Sequence, residues 1–213
     1  MEKLESFVFL ALCATIPLLM VAVLVYRGVR WLVMRARWNT LLEERGWTPD
    51  GDESVIAAAC EDVGVPSRRA SLSWVARRDG ALIALYRRRG PGKQSGVTRR
   101  LLLVPREVPG ALGTLQPRVG GLLEKAALAI VGLVGERAEI EGWEWAIVFT
   151  RGEADAWLPD EASPRLRDFL HPNETLHLGE RWTVLSLAGG DMPELLDRLE
   201  PLRDALYGES TDD

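Results

Sequence analysis

Cysteine and histidine are scarce in this chain of 213 residues, which has two of each. Cys13 lies in a long apolar run and Cys60 lies alone in a helix-like segment. These positions predict neither a disulfide within one domain nor a cysteine metal site, and they fit a reducing compartment. The neighbouring Glu61 and Asp62 oppose a thiolate at Cys60, so a packed cysteine is favoured over a nucleophile.

Catalytic and nucleotide-binding motifs are missing as well. The sequence has no G-x-S-x-G, no G-x-x-x-x-G-K-[ST] and no G-x-G-x-x-G after a strand. Three glycines surround Lys93 in the segment RGPGKQSG, but their spacing matches no phosphate loop, and we interpret it as a flexible connection. We therefore expect a protein without enzymatic activity, cofactor or bound metal.

Lysine is nearly absent, and the charges are unevenly distributed. The lysines among the 26 basic residues are Lys3, Lys93 and Lys125, a bias that indicates a GC-rich bacterial genome. Residues 46–105 carry ten basic side chains against six acidic ones, whereas residues 106–213 carry ten against twenty-one. The first half of the soluble part is thus basic and the second half acidic.

What the sequence does contain is a long apolar run near its start. Residues 7–26, FVFLALCATIPLLMVAVLVY, have no charged side chain. At about 1.5 Å per helical residue they reach about 30 Å, the thickness of a bilayer's hydrocarbon core. A cleaved signal peptide is disfavoured, because MEKLES is not basic and no small-residue cleavage site follows. The run predicts a retained, single-pass transmembrane helix.

Arginines and aromatic residues follow this run and suggest how the helix is oriented. Lys3 is the only base before it, so the positive-inside rule places the N-terminus outside and the domain in the cytoplasm, at the inner (plasma) membrane. The helix is expected to continue to Gly46. The predicted membrane-interface residues are Tyr26, Arg27, Arg30, Trp31, Arg35, Arg37 and Trp38.

Three parts are expected along the chain. Residues 1–45 form the anchor with its juxtamembrane extension, residues 46–207 form one cytoplasmic domain, and residues 208–213 form a disordered acidic tail. Helical segments mixed with hairpins, without repeated βαβ units, predict an α+β fold with antiparallel hairpins and packed helices.

The strongest local signal is a hairpin. Two strand-like runs meet at Asp79-Gly80, a pair suited to a type I′ turn, and VTRRLLLVP at 97–105 would add a third strand. Leu72, Trp74 and Ala76 are expected on one face, with Ile83 and Leu85 buried. The chain should also form a helix from about Glu53 to Val63, capped by Asp52 or Ser54, and an irregular segment at 106–121. A core helix at 121–136 and a strand at 141–152 should follow, with Trp143, Trp145, Ile147 and Phe149 on one side of the strand. The last expected elements are a helix at 160–170, a hairpin at 175–187 turning at Gly179-Glu180, and a helix from Asp191 broken at Pro201.

One group of side chains has the residue types of a metal site. Asp168, His171, Glu174 and His177 recur every three positions, which on one helix would bring neighbours together. Pro172 interrupts the helix, however, and residues 175–178 resemble a strand, so the four side chains should diverge. Surface or turn histidines are the favoured interpretation.

A second group is basic. If the hairpin forms, its arginines gather at strand ends and on one edge, where anionic lipid headgroups or an acidic protein surface could bind them. Nucleic acid is disfavoured, because aromatic residues are scarce nearby and the chain is acidic. Charged edges that discourage strand-to-strand aggregation explain the group equally well. Its members are Arg77, Arg78, Arg87, Arg88, Arg89, Lys93, Arg99 and Arg100.

These patterns favour a membrane-anchored accessory or scaffold protein. Its partners would be the lipid bilayer and either a larger bacterial membrane complex or an identical copy. The alternatives are a membrane-tethered enzyme with a dispersed, possibly metal-containing site, and a peripheral module that binds anionic lipid.

Overall fold

The computed structural model describes residues 2–49, 52–65, 70–88, 97–106, 112–118, 136–151, 158–187 and 192–208. The chain divides into two compact units, Met1–Glu44 and Arg45–Asp213. An antiparallel sheet with helices makes up the second unit, which confirms the α+β fold. Residues 121–135 of the core helix predicted at 121–136, the glycine-rich loop around Lys93 and residues 209–213 of the acidic tail predicted at 208–213 lie outside the described residues.

The first unit is one helix, α1, Glu2–Glu44. It ends just before Gly46, whose φ of 72° suits a glycine stop, as predicted. Its apolar side chains from Leu19 to Val25 are exposed. Within the residues described, no helix meets the length and hydropathy of a membrane span. The side chains of residues 1–18, where most of the predicted span falls, lie outside the described set, so the anchor stays a prediction.

The second unit is built on a sheet whose described strands follow the order β1-β2-β3-β4-β9-β8-β5-β7-β6, with every pairing antiparallel. The terminal strands of this order, β1 and β6, are two and three residues long. The strands are β1 Thr48–Pro49, β2 Ala70–Arg78, β3 Ala81–Arg88, β4 Val97–Pro105, β5 Gly113–Pro117, β6 Glu136–Ala138, β7 Ala146–Thr150, β8 Glu174–Leu178 and β9 Trp182–Leu187. The helices are α2 Glu53–Asp62, α3 Ala162–Phe169, α4 Met192–Leu196 and α5 Leu199–Tyr207.

Helix α2 packs on one face of the sheet. The Asp52 side chain accepts the backbone N–H of Ser54 and caps the helix, so Asp52 is the one of the two candidate caps that is used. Apolar residues spaced three and four apart, Ile56, Ala59, Cys60 and Val63, are buried against β3, β4 and β9. Burial raises the pKa of the Cys60 thiol to about 11, which agrees with the predicted packed cysteine.

The opposite face is apolar and lies under the other helices. Strand register places five fully buried side chains in one row across the sheet, and Glu174, two residues before Leu176 on β8, shares that face. Since Glu174 contacts Arg198 at the start of α5, the α3–α5 layer covers this face. The row consists of Ile83, Leu102, Leu185, Leu176 and Leu115.

The predicted β2–β3 hairpin forms. Asp79 and Gly80 have φ values of 48° and 76°, the positive values that a type I′ turn requires. A register shift between Ser73 and Val75 inserts an extra residue at Trp74. The side chains of Leu72 and Trp74 lie outside the described residues, so their sharing a face with Ala76 stays a prediction.

Three other predictions need correction. Strand β5 crosses the segment predicted to be irregular, where Leu115 is completely buried. The strand predicted at 141–152 is confined to β7, and Trp143 lies in the turn before it, its ring 5.9 Å from that of Trp145. The last helix breaks at residues 197–198 instead of at Pro201, which lies in the first turn of α5, where a proline costs no hydrogen bond.

Asp62, at the end of α2, holds the β8–β9 turn in place. Its carboxylate accepts the backbone N–H groups of Glu180, Arg181 and Trp182 at 3.2, 3.0 and 3.0 Å. A side chain at Gly179 would displace this carboxylate, because its Cβ would clash with Asp62. One side chain thus joins two segments that are distant in sequence.

Substituting Asp62 by alanine should therefore destabilise the fold. Three N–H groups, one of them on half-buried Trp182, lose a charged acceptor, and we expect the free energy of unfolding to fall by about 2 kcal/mol. Urea unfolding of the full chain, followed by tryptophan fluorescence, measures this. The neighbouring exposed Glu61→Ala is the matched control, and an equal effect of the two changes would contradict this role of Asp62.

Candidate functional site

A cleft of about 660 Å³ lies between α3 and α5. Helix α3 turns its buried Leu166 toward the core, and α5 does the same with Leu199 and Leu202. Their polar faces and the turn between α3 and β8 form the walls of the opening. We call this opening the α3–α5 cleft.

A buried ion pair supports the cleft wall. Glu174, 2% exposed, accepts a hydrogen bond from Arg198 Nη2 at 2.8 Å and one from the backbone N–H of His171 at 2.9 Å. The same Arg198 Nη2 donates to the carbonyl oxygen of Phe169 at 2.8 Å, and its guanidinium lies 4.0 Å from the centre of the Phe169 ring. These contacts fix the end of α3, the start of β8 and the start of α5 with one another.

His171 lies at the mouth of the cleft and is more than half exposed. Its Nδ1 is 3.3 Å from Arg198 Nη1. A guanidinium can only donate, so Nδ1 is the acceptor of any hydrogen bond between the two side chains. The carboxylates of Glu174 and Glu194 lie farther from Nδ1, at 3.6 and 3.9 Å.

The α3–α5 cleft combines an apolar floor with an acidic rim. Phe169, Pro201 and Ala205 supply apolar surface, and the exposed carboxylates of Asp168, Glu194 and Asp204 surround it. Two guanidinium groups also line it, but the charge of Arg198 is compensated by Glu174, which leaves three carboxylates against Arg165. No side chain of the nucleophilic types serine, threonine, cysteine, lysine or tyrosine is among the described lining residues.

The four residues with metal-ligand spacing do not come together. His171 and Glu174 are neighbours, and Asp168 lines the same cleft. His177 points to the opposite face of the sheet, because it is three residues after Glu174 on the same strand. In the part of the chain that is described, no three His, Cys, Asp or Glu side chains are placed to hold a metal ion.

The described arginines of the basic group are not gathered on one edge. Arg78 pairs with Asp79 and Glu200 at 3.2 and 3.5 Å, while Arg77 is exposed. Arg99 and Arg100 are consecutive on β4, an interior strand, and so point to opposite faces. Arg99 is buried and donates to Ser186 Oγ at 3.0 Å. The side chains of Arg87, Arg88, Arg89 and Lys93 lie outside the described residues.

His177 belongs to a buried polar cluster on the face that α2 also covers. Its Nδ1 lies 3.0 Å from Thr114 Oγ1, and it is 3% exposed. Burial, together with the positive charges of Arg99 and Arg151, lowers the pKa of His177 to about 3. Arg151 is fixed by bonds to the carbonyl oxygens of Asp62 and Leu178. A neutral, enclosed imidazole of this kind is a structural group.

The interface residues predicted along α1 are described in part. Tyr26, Arg27, Arg30, Arg35 and Arg37 are exposed and Trp38 is half-buried. The side chain of Trp31 lies outside the described residues.

Sequence reasoning missed the central residue of the cleft, Arg198. A signal for it existed: Arg198 follows Leu195 by three residues and precedes Leu202 by four, which places it on the apolar side of the predicted helix. A charge at such a position needs a buried partner. The identity of that partner, Glu174, depends on how the sheet and helices pack and has no local signature.

Comparison with known proteins adds nothing to this description: no protein-family model, no curated protein and no solved structure matched the chain. The functional conclusion therefore depends on the residues themselves.

Proposed function

We propose that this chain is a single-pass membrane-anchored accessory or scaffold protein of a bacterial inner-membrane complex. The N-terminus is outside, the second unit is cytoplasmic, and the protein acts through contacts with other proteins. No catalytic activity is part of the proposal.

The observation that carries the proposal is the exposure of apolar side chains along α1. Leu19, Met20, Val21, Leu24 and Val25 are between 56% and 66% exposed. Five such residues within seven positions cover about two thirds of the helix circumference, which is unfavourable in water and favourable in lipid or against a partner helix. The uncharged sequence continues from there back to Phe7, and exposed arginines begin at Arg27.

The anchor can be tested by membrane extraction. The full chain should remain in the membrane pellet after alkaline carbonate, and a fluorescent reporter fused after Asp213 should light up in the cytoplasm. Replacing Ile16 and Leu19, near the middle of the predicted span, by arginine should release the protein, since each charge at a helix centre costs about 3 kcal/mol on insertion scales. The same replacement at exposed Glu53 and Glu61 should have no effect. Release of the unmodified chain by carbonate would refute the anchor.

The accessory role needs a second measurement. Purification in mild detergent, after cross-linking in the membrane, should recover a stoichiometric partner or a homo-oligomer by mass spectrometry. A monomer without partners would refute the scaffold role even if the anchor held.

A further inference from the structure

The geometry points to the α3–α5 cleft as a docking site for an arginine-bearing, partly apolar peptide segment of a partner protein. This inference rests on the proposed function and names the surface and the partner chemistry that the proposed function leaves open.

Charge complementarity selects a cationic segment. Three exposed carboxylates on three different helices, Asp168 on α3, Glu194 on α4 and Asp204 on α5, face one opening. Arg198 is already paired with buried Glu174 and does not offset them. A guanidinium can bind such carboxylates through two parallel hydrogen bonds, which makes arginine the favoured cation.

The floor of the cleft selects a segment with apolar side chains. Phe169, Pro201 and Ala205 offer apolar surface between the carboxylates. A hydrated metal ion or a small polar cation would leave this surface in water, whereas a leucine-like side chain would cover it. The combination of an apolar centre with a charged rim is that of a protein-docking site.

Binding of a defined peptide to the full chain in neutral detergent micelles tests the inference. The probe is a fluorescein-labelled peptide of about twelve leucine and arginine residues, long enough for three helical turns. A control peptide has each arginine replaced by glutamine. Titration of each peptide into empty micelles measures its binding to detergent alone. Fluorescence anisotropy should show saturable binding of the arginine peptide and much weaker binding of the glutamine peptide.

Variants locate the site. Glu194→Gln with Asp204→Asn keeps the side-chain shapes, removes two rim charges and should weaken binding about tenfold. The matched control, Glu53→Gln with Glu61→Gln, removes two charges from α2 on the other face of the sheet and should leave binding unchanged. Tryptophan fluorescence checks that each variant is folded. If the rim variant fails to fold, the comparison of the two peptides on the unmodified chain still decides.

Three results would overturn the inference. Equal binding of the two peptides would show that charge does not select the occupant. If the rim variant and the α2 control variant lost the same amount of peptide affinity, the arginine peptide would be attracted to the acidic domain as a whole and not to the cleft. Displacement of a second copy by the peptide, seen as a halved mass, would make an identical chain the occupant. A negative result leaves the carbonate and cross-linking experiments unaffected, so the two proposals fail separately.

Discussion

Replacing Arg198 by methionine should lower the free energy of unfolding by about 3 kcal/mol, because removing one partner leaves a buried charge uncompensated. Glu174 would keep the backbone N–H of His171 as a hydrogen-bond donor but lose its 2.8 Å contact with Arg198. The stacking of the guanidinium on Phe169 would be lost as well. Chemical unfolding of the full chain measures the change.

Two further variants separate the buried charge from other effects of the substitution. Arg167→Met removes an exposed arginine whose 3.6 Å pair with Asp168 is solvated, and it should cost less than about 0.5 kcal/mol. Adding Glu174→Gln to Arg198→Met should recover part of the lost unfolding free energy, since the carboxylate that was left without its partner is then replaced by a neutral amide. If Arg198→Met cost no more than Arg167→Met, the ion pair would not be a structural element of the cleft.

Acidification should destabilise the fold through His177. The native imidazole has a pKa of about 3, whereas the unfolded chain binds this proton near the ordinary value of 6.5. Below about pH 6.5 the unfolded state therefore holds more protons, and stability falls as the pH falls, by about 2 kcal/mol between about pH 7 and about pH 5. The loss continues toward pH 3, where the native ring also becomes protonated.

A variant isolates this contribution from that of the carboxylates. His177→Asn keeps a polar atom near Nδ1 for Thr114 Oγ1 but cannot take up a proton. Its unfolding free energy should vary less with pH than that of the unmodified chain over the same interval. Parallel pH profiles for the two proteins would contradict a neutral, buried His177.

Local sequence signals predicted the elements that local chemistry controls. The type I′ turn at Asp79-Gly80 requires positive φ at both residues, and Asp52 caps the helix that directly follows it. Both features depend only on neighbouring residues, so they can be predicted without knowing the rest of the fold. Strand β5 was missed because Gly113–Pro117 is only five residues long and is bounded by glycine and proline, while its strand character comes from pairing with β7 and β8. Trp143 was assigned to a strand because aromatic residues alternate there, although the chain turns at Gly142, with φ 80°.

The candidate site was predicted only in part. The spacing of Asp168, His171 and Glu174 drew attention to the segment that lines the cleft, and Pro172 correctly indicated that the helix ends before Glu174. The cleft also needs Arg198 and Asp204, which follow Glu174 by 24 and 30 positions in sequence. Only the packing of α5 beside α3 brings them near, and no pattern in the sequence encodes that neighbourhood.

The short strands at the two ends of the sheet limit how another protein can attach. Among the described residues, β1 contributes two residues, one of them Pro49 with no N–H to donate, and β6 contributes three. An incoming extended chain would find few main-chain groups on these two strands themselves. A partner that binds at β1 or β6 would therefore have to recognise side chains, and its binding can be selective for sequence there.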